Sequence, residues 1–107
     1  MKDDGTYVDQ ILDSIRKLEL YIIDYDKDEF IKDEKTQSAV LMQLTVIGEI
    51  SKKISEETKS KIDVPWKKIM GFRDKTVHAY FNLDIDVIWE TIQTRIPELK
   101  EKLSEYK

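Results

Sequence analysis

The 107-residue sequence predicts an all-α fold, a small up-down bundle of four main helices. Three observations lead there. Apolar residues recur at helical spacing over long stretches, no window sustains the period-2 alternation of a strand, and three glycines and two prolines are too few to break the chain often. Without an internal Pro/Gly/Ser-rich linker, residues 1–107 read as a single domain, large enough for one modest core.

The first helix is expected over about residues 6–24, where Val8, Ile11, Leu12, Ile15, Leu18 and Ile22 form one stripe and Asp9, Asp13, Arg16 and Lys17 lie largely outside it. The acidic stretch DYDKDEF then reads as a short connector. A second helix follows over about 34–58, with Val40, Leu44, Ile47, Ile50 and Ile54 inward and Gly48 in its middle. That glycine costs about 1 kcal/mol relative to alanine and either allows close packing or is simply tolerated. After a polar loop, ETKSKIDV, the third helix starts near Pro65, because proline's missing N–H has no intrahelical partner at an early helical position, and it includes residues 71–84. The fourth covers about 84–105, with Ile88, Ile92, Ile96, Leu99 and Leu103 inward. Pro97 lies inside it and predicts a kink or a restart. Trp66, Met70, Phe72, Phe81 and Trp89 read as core, and a bundle this small gains buried surface by pairing with a second copy.

Composition excludes several function classes. Apolar residues at 40% and charged residues at 37% suit a folded, surface-rich protein rather than a disordered one. The N-terminal MKDDGTYVDQ lacks a signal peptide's apolar run, and AVLMQLTVIG is too short and interrupted to span a bilayer, so a cytoplasmic protein without membrane contact is expected. Without cysteine there is no disulfide framework, thiolate site or cysteine nucleophile, and one histidine among scattered carboxylates argues against a metal centre or cofactor.

The net charge of −4 is unevenly spread. Residues 1–34 carry eleven acidic and five basic groups, whereas residues 59–80 carry Lys59, Lys61, Lys67, Lys68, Arg73 and Lys75 against two aspartates. The basic segment is either a solvated face or a local positive surface for a phosphate backbone.

The stretch GFRDKTVHAYFNLD, residues 71–84, contains the only histidine, His78. On an ideal helix Arg73 and His78 differ by about 140°, whereas Asp74 aligns with His78 and Arg73 with Tyr80. Asp74 can accept from one imidazole nitrogen of His78 and leave the other to move a proton, or the two form an inert surface pair. Arg73 falls on the side of Ile69 and Val77, where an unpartnered guanidinium is costly to bury. Three arrangements relieve that cost: the side chain snorkels, the helix bends before His78, or the stripe faces a cleft shared with another subunit.

At these residues the chain resembles the HepT-like branch of the HEPN superfamily, whose motif is Arg-x-x-x-x-His-x-Tyr, here Arg73, His78 and Tyr80. VPWKKIMGFRDKTVHAYFNLDIDVIWETI carries the motif, DYDKDEFIKDEKTQSAVLMQLTVIGEISKKI is similar to the family's first connector and second helix, and IPELKEKL to its final helix. The resemblance implies a HEPN-like bundle that forms a homodimer, with two Arg–His motifs around one cleft. It also implies a metal-independent endoribonuclease toxin, encoded beside a minimal nucleotidyltransferase antitoxin that joins it in a larger assembly and transfers AMP to Tyr80. In that reading Arg73 and His78 are catalytic, Asp74 orients His78, and Tyr80 positions RNA. Lys59, Lys61, Lys67, Lys68 and Lys75 then form the patch that meets the RNA backbone. Two other readings keep the fold without the activity: a non-catalytic helical partner or modification target of a nucleotidyltransferase, and a degenerate structural bundle.

Overall fold

The computed structural model describes residues 3–72, 74 and 84–107. Six helices lie among the described residues: α1 (Asp4–Tyr21), α2 (Lys27–Lys32), α3 (Glu34–Ser51), α4 (Glu56–Lys61), α5 (Trp66–Met70) and α6 (Ile85–Tyr106). The first, second and fourth expected helices are present as α1, α3 and α6, while the third is present over Trp66–Met70 and most of its expected remainder lies outside the described residues. Short helices α2 and α4 occupy the acidic connector and the region around the expected end of the second helix.

Each short helix has a local polar reason to exist. In the acidic connector, Glu29 N donates to Asp26 Oδ1 at 2.8 Å and Asp26 N donates to Glu29 Oε1 at 3.2 Å, a reciprocal capping box that starts α2. The expected 34–58 helix instead ends at Ser51. Ser51 Oγ donates back to the Ile47 carbonyl at 2.7 Å, and Lys53 N and Ile54 N turn back to Ile50 and Ser51. Ser55 then starts α4 by accepting from Thr58 N. The first helix stops before residue 24 because the chain turns at Ile22, with Tyr25 N bonded to Ile22 O and Asp24 at φ 63°.

The long helices pack antiparallel around α1. Ser14 on α1 bonds Gln43 on α3, and Asp4 at the start of α1 meets Ser55 beyond the end of α3. Against α6, Glu19 pairs with Lys100 and Asp9 with Lys107, each at 2.9 Å, so the two helices also run in opposite directions. The expected stripes are buried: Val8, Ile11, Ile15 and Leu18 from α1, Val40, Leu44 and Ile47 from α3, and Ile88, Ile92, Ile96, Leu99 and Leu103 from α6. Leu12, Ile22 and Ile50 are half-buried against the same core. Ile54 is buried although it lies past the helix. Gly48 is buried within α3, and Phe72 is buried while Trp66 and Trp89 pack on the core's edge. Phe81 lies outside the described residues.

Pro97 does not restart the last helix, which runs without a break from Ile85 to Tyr106. Its missing N–H would have served the carbonyl of Gln93, and both residues are exposed, so water can take that bond.

Phe30, from the presumed connector, is fully buried with its ring centroid 5.2 Å from that of Trp89. Gln37 Nε2 donates to the carbonyls of Phe30 and Ile31 at 2.8 and 2.9 Å, satisfying the end of α2. Asp33 links the pieces by accepting from the Tyr25 hydroxyl, Thr36 N and Thr36 Oγ1. These bonds, the Tyr25 one foremost, hold its carboxyl down to about 2.

Two stability measurements test this frame. Phe30→Ala should lower the unfolding free energy by about 3–5 kcal/mol in urea titration, from lost transfer energy and a cavity against Trp89. Asp33 has a folded pKa below its unfolded value of 3.8, so the unfolded chain binds the proton first and this contribution is present above that value. Wild type should therefore lose stability as pH falls from 3.8 towards about 2, and Asp33→Asn should flatten that slope.

Candidate functional site

The segment leading into the Arg–His motif begins with α5, which packs on α3. Its five residues cannot sustain a helix alone, and its N-cap, Pro65, makes no side-chain capping bond. Its position is instead set by neighbours. Ile69 and Phe72 are buried in the core on one side. At the end of α4 the carbonyls of Lys59 and Ile62, which already accept from Ile62 N and Val64 N, each also accept from Trp66 Nε1 at 3.0 Å, so one indole N–H ties α5 to two backbone oxygens. Gly71 closes the helix by donating to Lys67 O at 3.1 Å, and a Cβ there would stand 3.3 Å from that oxygen, closer than side chains ordinarily tolerate.

The expected basic patch is only partly a surface. Lys61, Lys67 and Lys68 are exposed, Lys61 pairing loosely with Glu57 at 3.8 Å. Lys59 is not on this surface: it is 7% exposed, with Nζ 3.3 Å from Met70 Sδ and 5.9 Å from the centre of the Trp66 ring. The correction follows from α4. Once residues 56–61 coil, Thr58, Lys59 and Ile62 turn inward, whereas an irregular loop would have left Lys59 in solvent. Asp74 is helical and exposed. Arg73, Lys75, His78 and Tyr80 lie outside the described residues.

A second polar group behind α4 was not anticipated. Asp4 accepts from Ser55 N at 3.2 Å, from Ser55 Oγ and from Thr58 Oγ1 at 2.6 Å, joining the start of α1 to the start of α4. The Ser55 hydroxyl, then the Thr58 hydroxyl, lower its pKa, with Lys59 adding a smaller attraction. Ser55 followed by Glu56 and Glu57 is the sequence signal that marks this helix start. Among the described residues no cluster of three or more histidine, cysteine or carboxylate groups is placed to hold a metal ion, and no helix is long and apolar enough to cross a membrane.

Comparison with known proteins adds a chain-wide likeness. The family model described as ribonuclease HepT-like matches residues 11–106. A protein of Thermococcus cleftensis named "Probable ribonuclease HepT" is 38% identical over 97 residues, covering 90% of this chain and 88% of its own. Proteins named as candidate RNases are 37% identical in two further organisms. The one from Methanocaldococcus jannaschii aligns over 102 residues, 94% of this chain and 84% of its own. The one from Caldanaerobacter subterraneus subsp. tengcongensis aligns over 106, 98% of this chain and 95% of its own. No solved structure gives a significant match.

The bonds from Trp66 to α4 have a measurable worth. Trp66→Phe keeps an aromatic ring and leaves both carbonyls their backbone donors, so losing the shared indole bond should cost about 0.5–1.5 kcal/mol of unfolding free energy by urea titration.

Proposed function

This chain belongs to the HepT-like ribonuclease family, and on that premise we propose that it is a metal-independent endoribonuclease working as the toxin of a toxin–antitoxin pair. The observation that carries the reading is the motif Arg73, His78, Tyr80, set in a chain whose family match extends over residues 11–106.

The chemistry follows from the residue types. An RNA 2′-hydroxyl attacks the adjacent phosphorus, the bond to the 5′-oxygen breaks, and a cyclic phosphate and a 5′-hydroxyl result. One proton must leave the 2′-oxygen and another must reach the departing oxygen. Histidine exchanges protons near neutral pH, which suits His78 to both transfers. The guanidinium of Arg73 suits the crowded, anionic phosphorane, because its planar donors grip two oxygens together. Asp74, one turn before His78 in sequence, orients the imidazole, and Tyr80 positions RNA by stacking or hydrogen bonding.

On an ideal straight helix residues five apart differ by about 140°, so the complete site, with Arg73 and His78, is assigned to a homodimer cleft holding two copies of the motif. Exposed Lys61, Lys67 and Lys68, with Lys75, form the approach surface for the phosphate backbone. A minimal nucleotidyltransferase antitoxin silences the enzyme by adding AMP to Tyr80, which places bulk and negative charge where RNA phosphate must sit. This chemistry belongs in the cytoplasm.

A second reading has one observation in its favour: the chain is net negative and Lys59 is withdrawn from the basic surface. In it the protein is a non-catalytic partner of the nucleotidyltransferase, with Tyr80 still the modified residue.

RNA cleavage and growth assays separate the two. The enzyme reading expects RNA cleavage unaffected by EDTA, a drop of about 10²–10⁴-fold for His78→Ala, and growth restored by that substitution. An uncleaved substrate with wild-type protein, together with identical growth for wild type and His78→Ala, overturns it in favour of the partner reading.

A further inference from the structure

Lys59 is a buried ammonium that the proposed chemistry does not use. Its own helix offers Glu56 at 3.7 Å, but that carboxylate is 92% exposed, and such a pair is screened by water. The buried contacts are the Met70 thioether at 3.3 Å and the face of Trp66, 5.9 Å from the ring centre. Trp66 and Met70 are one turn apart, so both point to the same side of α5 and one ammonium touches both ends of this five-residue helix. The opposite attachment, through Ile69 and Phe72, is apolar and non-directional. Directional contacts to α5 thus come from the Ile62 carbonyl and, twice, from Lys59, through its carbonyl to the indole N–H and through its ammonium to the ring and the sulfur.

We propose that Lys59 is a positioning residue: its charge fixes the rotation of α5 about its axis, and thereby the direction in which the chain enters the motif three residues beyond Met70. This rests on the ribonuclease reading for its consequence, since Arg73 is the first motif residue the chain reaches. Asp4 completes the device from behind, holding Ser55 and Thr58 and thus the start of the helix that carries Lys59. A lysine used only for its stem would be replaceable by any side chain of equal length. A lysine used for its charge is replaceable by arginine and not by methionine.

The test compares Lys59→Met, Lys59→Arg and wild type in two readouts: steady-state RNA cleavage, and hydrogen exchange of the Trp66–Met70 amides. Lys59→Gln repeats the charge deletion should the methionine variant not fold. Lys59→Met is expected to lower kcat about tenfold, with KM within about twofold. Its α5 amides should exchange about fivefold faster. Lys59→Arg should recover most of both. Wild-type exchange and kcat in the methionine variant would overturn the proposal, as would equal impairment by methionine and arginine, which would mark a packing role. If wild type cleaves no RNA, the ribonuclease reading falls, and the exchange comparison by itself decides whether the charge of Lys59 holds α5.

Discussion

The structure depends on burying one face of α1 from two sides. Val8, Ile11, Ile15 and Leu18 are completely removed from solvent, lying between α3 and α6. Full burial of such side chains contributes about 1.5–3 kcal/mol each, far more than the exposed ion pairs nearby. The pairs Glu19–Lys100 and Asp9–Lys107 therefore report the antiparallel register of α1 and α6 more than they create it. Because α1 occupies the centre, α3 and α6 must both run against it, and the intervening chain has to cross the ends of the bundle.

Those crossings are where side-chain hydrogen bonds decide the structure. Short helices cannot sustain themselves, so α2 and α4 rely on caps and on partners for their final carbonyls. Asp26 and Glu29 start α2, while Gln37 finishes it. Ser55 starts α4, while Trp66 adds a second donor to the carbonyls at its end. The two ends differ in what these bonds accomplish. At α2 they seat Phe30 against Trp89 and complete the core, and at α4 they attach the helix that leads to the motif. Asp33 and Asp4 play matching parts, each a carboxylate accepting three bonds and each with a lowered pKa as a result.

Electrostatics around the site is correspondingly divided. Lys61, Lys67 and Lys68 face solvent, where they can meet a polyanion, whereas Lys59 faces inward and meets an aromatic ring and a thioether. Neighbouring lysines, equivalent by composition, thus sit in different environments because a single helix turns one of them inside.

The sequence by itself determined the all-α class and the apolar stripes of the long helices, and a short motif nominated residues for chemistry, because helical periodicity and such a motif are both local patterns. Every inward position assigned on the last helix is buried, since a stripe repeated over about four turns has one way to face a core. Tertiary structure decided what happened where local signals competed. The apolar spacing through Ile54 favoured one helix to residue 58, but Asp4, 51 residues away from Ser55, captures that residue and opens a new helix there. Pro97 signalled an interruption, but its unpaired carbonyl partner lies on the wet side and the helix continues. Lys59 read as surface because lysine is rarely buried, and only the packing of α4 on α5 provides the ring and sulfur that take its charge out of water.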